Sequence, residues 1–179
     1  VLDMLNVKYI VDLNESGNIE LKINEDVMGS AWFVDEVQKV TDSNQELLGL
    51  SSIDYKKTCL STNLNNKTYP DSSENYIEIV DKRANQITYK VSSNDTGFVV
   101  FSEAFYKNGW VAKINGEVTD IHKVNYLLRG LEVEGGEHEI VFTFEPNVIK
   151  TGTLLMASSN ILLLILVFFY FKNLIKNVR

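Results

Sequence analysis

From Thr151 to Phe171 the chain runs TGTLLMASSNILLLILVFFYF without a charged side chain. As a helix this run spans about 30 Å, the thickness of a bilayer's hydrocarbon core. A buried core helix is the competing reading, and Ser158, Ser159 and Asn160 favour it. The unbroken apolar stretch 161–171 outweighs them, because small and amide side chains inside a span can serve contacts with neighbouring helices. The expectation is a transmembrane helix over 151–171 followed by a basic tail over 172–179.

Charge then suggests an orientation. Of the 17 Lys and Arg residues, Lys172, Lys176 and Arg179 follow Thr151, whereas all 24 Asp and Glu residues precede it. Residues 1–150 therefore carry 14 basic and 24 acidic side chains, a net −10. The positive-inside rule places the tail in the cytoplasm and the acidic domain on the other side of the membrane. Nucleic acid is excluded as a partner, since no basic stripe exists to neutralise phosphates. Cys59 is the single cysteine, which excludes an internal disulfide and the paired-cysteine metal frameworks. No cofactor motif is present. The sequence opens on VLDMLNVKYIVD without an export signal. An extracytoplasmic domain is then expected to be the C-terminal piece of a longer protein, with an N-terminal transmembrane bundle as its partner.

Residues 1–150 read as mainly β. Val1–Asp12 suggests a short helix entering a strand at VKYIV, and Asn14–Asn18 is a turn cluster. Ile19, Leu21 and Ile23 then alternate with polar residues. A further apolar segment begins at Gly29-Ser30-Ala31-Trp32. Thr41–Leu50 carries cap residues ahead of Glu46, Leu47 and Leu48, predicting a short helix near 43–50. The segment 61–75 is polar and turn-rich and reads as an exposed loop. Strands resume at Tyr76–Val80 and Gln86–Ser92. Between Gly97 and Pro146, Trp110, Ala112 and Ile114 share a face before the turn dipeptide Asn115-Gly116. Leu127, Arg129, Leu131 and Val133 share another, and Ile140, Phe142 and Phe144 a third. About eight short strands at this spacing predict an antiparallel β-sandwich or jelly roll, followed by the transmembrane helix.

Four blocks carry a family likeness: GSAWFVDEV at 29–37, QELLGLSSIDYKKT at 45–58, NQITYKVSSNDTGFVVFSEAFYKNGWVAKINGE at 85–117 and VNYLLRGLEVEGGEHEIVFTFEP at 124–146. Together they resemble the C-terminal region of the YfhO-like bacterial membrane proteins, in the form of Bacteroidetes members, and LNVKYIV resembles the segment leading into it. The resemblance implies a many-helix protein similar to polyprenyl-phosphate-sugar-dependent glycosyltransferases of the GT-C type, linked to decoration of cell-envelope polymers. The catalytic carboxylate of such proteins lies in an early outer loop, so no catalytic residue carries over to this chain. His122, where the family usually has a small or polar residue, and Gly130, which replaces a common alanine, depart from its pattern.

Candidate binding residues have two readings each. Trp110, Tyr106, Phe105 and Trp32 could stack on sugar faces, whereas the alternation of Trp110 with Ala112 and Ile114 suggests core packing. Tyr106 and Lys107 lie in the Tyr-Lys-Asn-Gly turn, where exposure makes them the better binding candidates. Arg129 sits among apolar neighbours and should reach either a carboxylate, for which Glu103 is the natural partner, or the sheet's rim. Contact with a phosphate or anionic polymer is its functional alternative. His122 and His138 would make a metal site only by converging with carboxylates such as Asp120 or Glu137, and structural roles are commoner. No Ser-His-Asp arrangement or phosphate-cradling glycine loop is present.

The favoured expectation is a non-catalytic extracytoplasmic portion of a glycosyltransferase-like membrane protein. It would meet membrane lipid and help position an envelope glycan or a polyprenyl-phosphate-sugar donor through Tyr106, Lys107, Trp110 and Arg129. A membrane-anchored carbohydrate-binding or adhesion module, and a purely structural domain, are the alternatives.

Overall fold

The computed structural model describes residues 1–14, 17–72 and 74–177; Arg179 of the basic tail and Glu15 and Ser16 of the first turn cluster lie outside them. Two compact units emerge, Val1–Phe144 and Glu145–Arg179. In the first, β1 (Tyr9–Leu13) and β2 (Ile19–Ile23) form a hairpin, and β3 (Ala31–Val34) and β4 (Glu36–Lys39) lead into α1 (Ser43–Gly49). β5 (Thr58–Ser61), β6 (Lys67–Thr68), β7 (Tyr76–Arg83), β8 (Gln86–Ser93) and β9 (Gly97–Ala104) follow. β10 (Trp110–Ile114), β11 (Glu117–Thr119), β12 (His122–Val124), β13 (Leu128–Val133) and β14 (Gly136–Phe144) complete the unit.

The organising strand is β9. A strand with one wet face alternates in burial, but Gly97–Phe101 are buried without a break. It lies inside the sheet β12-β13-β9-β3, which is covered on both faces. On one face Phe33, Val99, Phe101, Leu131 and Val133 meet Tyr89, Ala112, Ile140 and Phe142 of the sheet β11-β10-β14-β8-β7. On the other, Trp32, Val34, Phe98, Val100 and Leu128 meet Met4, Val37, Leu50, Cys59 and Leu60, from α1's end and the small sheet β5-β4-β6. Tyr89, Phe101 and Phe142 form a trio of edge-to-face rings, with centroids 4.9–6.0 Å apart. All described strand pairs are antiparallel except β4–β5.

The short helix forms where its caps predict: the Asp42 carboxylate accepts hydrogen bonds from the Asn44 and Gln45 amides at 2.8 and 2.9 Å. The turn Asn115-Gly116, with φ of 51° and 88°, joins β10 to β11 as the dipeptide requires. Three local expectations change. Leu2–Asn6 is one turn rather than a helix, and Asn6 at φ 55° closes it. The expected loop 61–75 contributes β6, which pairs with β4. Leu127 does not share the face of Arg129, because it lies in the turn before β13, where Asn125 and Tyr126 have φ of 48° and 71°; it packs on the other core.

The second unit carries α2 (Asn147–Asn177). Its stretch Asn147–Tyr170 is long and apolar enough to cross a membrane, and every side chain along it is exposed.

Candidate functional site

Three of the four predicted binding residues meet at one set of strand ends. β9 finishes at Ala104, the turn 105–109 crosses between sheets, and Trp110 starts β10 opposite Phe144, the last residue of β14. Gly109 is buried with the Phe144 ring against it, where a Cβ would collide with that ring. Phe144 stands between Trp110 (centroids 5.3 Å) and Tyr106 (6.3 Å). Tyr106 is 56% exposed, Lys107 beside it is exposed, and Trp110 is half-buried. Trp32, by contrast, is core: it is buried and its indole N–H donates to the Tyr55 carbonyl at 2.9 Å.

Arg129 lies on the face of β13 that Leu131 and Val133 share, and it reaches into this cluster. Arg129 is 2% exposed, with its guanidinium carbon 4.2 Å from the Trp110 ring centroid and 5.3 Å from that of Phe142. Its Nε donates to the Ala104 carbonyl at 2.9 Å, while Nη1 is buried without a hydrogen-bond partner. The carboxylate expected for it is engaged elsewhere: Glu103 accepts an ion pair from Lys82 Nζ at 2.7 Å. Burial pulls the Arg129 pKa below its ordinary value, against which the negative charge of Glu103 acts from a distance. Among the described residues no carboxylate pairs with this cation, which is roofed by an indole whose neighbour Phe144 also meets the exposed Tyr106. Rings and a guanidinium in this arrangement suit a ligand with an apolar or sugar face and an anionic group.

A second polar cluster was not legible in the sequence. Glu132 accepts from Lys67 Nζ at 2.5 Å and from the Tyr69 hydroxyl at 2.7 Å. The Lys67 hydrogen bond, with help from Tyr69, holds Glu132 below the usual carboxylate range. One groove of about 470 Å³, with Glu117, Glu134 and His138, and another of about 280 Å³, with Asn65, Tyr69 and His122, both reach Glu132. The histidines have separate surroundings: His122 stacks on Phe98 (centroids 6.5 Å), and His138 Nδ1 lies 2.9 Å from Asn115 Nδ2. Among the described residues, no group of three or more His, Cys, Asp or Glu side chains could hold a metal.

The model of the family described as "Bacterial membrane protein YfhO" matches residues 43–156. The chain belongs to the YfhO family of bacterial membrane proteins. No curated protein and no solved structure matches it. The part matched to YfhO includes Tyr106, Lys107, Trp110 and Arg129, and it ends inside the apolar helix. Family and helix together make this a membrane protein. His122 and Gly130 are direct cross-strand partners between β12 and β13. The Phe98 ring meets both, stacking on His122 and lying 2.6 Å from where a Gly130 Cβ would be. They thus belong to one packing arrangement.

Proposed function

We propose that this chain is the non-catalytic extracytoplasmic portion of a YfhO-family protein, held at the inner membrane by α2. It positions an envelope glycan or a polyprenyl-phosphate-sugar donor. Tyr106, Trp110 and Phe144 offer ring faces for sugar or isoprenoid, and Arg129 and Lys107 take the phosphate or another anionic group. The observation that carries this reading is Arg129, buried with Nη1 unbonded and, among the described residues, no carboxylate within ion-pair distance. A structural site would supply a counter-ion; a site waiting for an anionic ligand leaves that place open. In this reading bond making stays outside this chain.

The test is binding of a polyprenyl phosphate to the full chain in detergent micelles, followed through Trp110 fluorescence. Saturable quenching is expected, weakened at least tenfold in Lys107→Ala and Tyr106→Ala variants that retain the β circular-dichroism spectrum. Equal affinity in the variants and the parent overturns the assignment. Binding of phosphate-free glycans with the same variant sensitivity would instead favour the carbohydrate-binding module.

A further inference from the structure

The hairpin β1–β2 carries an apolar face that no described residue covers. Its register pairs Tyr9 with Ile23, Val11 with Leu21 and Leu13 with Ile19, so all six side chains project to one side. They are 55–78% exposed. The other side carries Ile10, Asp12, Glu20 and Lys22, with Lys22 Nζ 3.2 Å from an Asp12 carboxylate oxygen. A two-stranded hairpin is marginal by itself in water, and this one spends its strongest stabilising surface on solvent.

We propose that this face rests in the interfacial zone of the lipid bilayer. Six such side chains present about 600 Å² of apolar surface at roughly 100 Å² each, the upper end of what monomers expose. A stable dimer in solution needs about 800 Å² per partner, so a second copy is the weaker occupant. For a bilayer the demand is smaller. The chain's own α2 keeps it at a membrane, and a contact made by a tethered surface no longer meets the full entropy of association. Within the first unit, residues 24–30 join the hairpin to the Ala31 end of β3, which pairs with Phe101 at the strand ends where Arg129, Trp110 and Phe144 meet. The composition also fits an interface. Tyr9 brings an amphipathic ring with Lys8 Nζ 5.7 Å from its centroid, and lysine stems lie along apolar surface while their ammonium groups reach headgroups.

The experiment uses the full chain reconstituted in phosphatidylcholine–phosphatidylglycerol vesicles, with an environment-sensitive fluorophore on Leu21→Cys or Val11→Cys. Glu20→Cys reports the opposite face. Cys59 does not compete for the label, since it is fully buried and burial pushes its thiol pKa up. At positions 21 and 11, quenching by lipid-borne nitroxide should be at least twofold stronger than at position 20, and quenching by aqueous iodide correspondingly weaker. Equal iodide quenching at all three positions would leave the face bare and overturn the proposal. Protection of positions 21 and 11 without lipid quenching, in vesicles and detergent alike, would overturn it in favour of a protein cover.

Discussion

Replacing Arg129 with Met should leave the fold as stable as before or more so, an unusual expectation for a side chain that is 2% exposed. Arg129 gains about 2 kcal/mol from its desolvated stacking on Trp110 and about 1.5–3 kcal/mol from the charge-assisted bond to the Ala104 carbonyl. Against this stands the burial of a guanidinium without a carboxylate partner, which costs several kcal/mol even after local relaxation. Met keeps most of the aliphatic stem and adds sulfur–aromatic contacts of about 0.3–1.5 kcal/mol. Ala104 is exposed, so water takes over its carbonyl. The balance lies between about 0 and 2 kcal/mol in favour of Met. Urea denaturation of the full chain in micelles, followed by far-UV circular dichroism, should show an unchanged midpoint or a rise of up to about 1 M. The same variant should lose polyprenyl-phosphate binding. A destabilisation of about 3 kcal/mol or more would show that Arg129 is held by partners that satisfy it, and would refute the argument from an uncompensated charge.

Three further changes test other contacts. The Tyr55 hydroxyl donates to the Asp3 carboxylate, which raises the Tyr55 pKa from 10.0 to about 12. A raised folded-state value gives stability that is complete below pH 10.0 and lost as pH climbs through about 12, so the stability gap between the parent and Tyr55→Phe should close over that window in alkaline denaturation. Gly130→Ala should destabilise by about 1–3 kcal/mol, because its Cβ would lie 2.6 Å from the Phe98 ring. His122→Ser frees that ring to shift and should recover part of the loss, giving a coupling above about 0.5 kcal/mol in a double-mutant cycle. Gly109→Ala drives the Phe144 ring from its seat and should alter Trp110 fluorescence, while the calorimetric transition stays cooperative.

Strands were legible wherever one face met water: alternation in β2, β10 and β14 is written in their residue types. β9 carried a different signal, the unbroken Phe98-Val99-Val100-Phe101, and an antiparallel strand of that kind must be buried on both faces. The cover on its second face could not be read, because it comes from α1, β4 and β5 through long-range pairing. The site shows the same division. Residue chemistry singled out Tyr106, Trp110 and Arg129, and period two put Arg129 on the face of Leu131 and Val133, but the pairing of β10 with β14 that sets the indole over it is long-range and invisible in the sequence. Glu103 seemed the natural partner for Arg129 by kind, but pairing is decided by direction, and its carboxylate meets Lys82. Glu132 was missed because it reads as an ordinary outward-facing strand residue. Its partners Lys67 and Tyr69 lie 65 and 63 residues away, in a segment that read as loop.

Most of the first unit is explained by packing: two cores share one central sheet, and their buried apolar residues account for the strand sequences. What packing leaves over includes Arg129 Nη1, buried and unbonded, and six apolar side chains exposed on a hairpin. A fold selected for stability alone would have no reason to keep either. A counter-ion or a methionine would serve better at position 129, and polar residues would serve better on the hairpin's outer face. The two features differ in chemistry, one wanting an anion and the other an apolar surface, yet the topology links both to the strand ends closed by Phe144. A phospholipid or polyprenyl-phosphate layer presents both chemistries side by side. Under the two proposals above, such a layer meets each feature by a separate interaction, so each can be tested, and can fail, without the other.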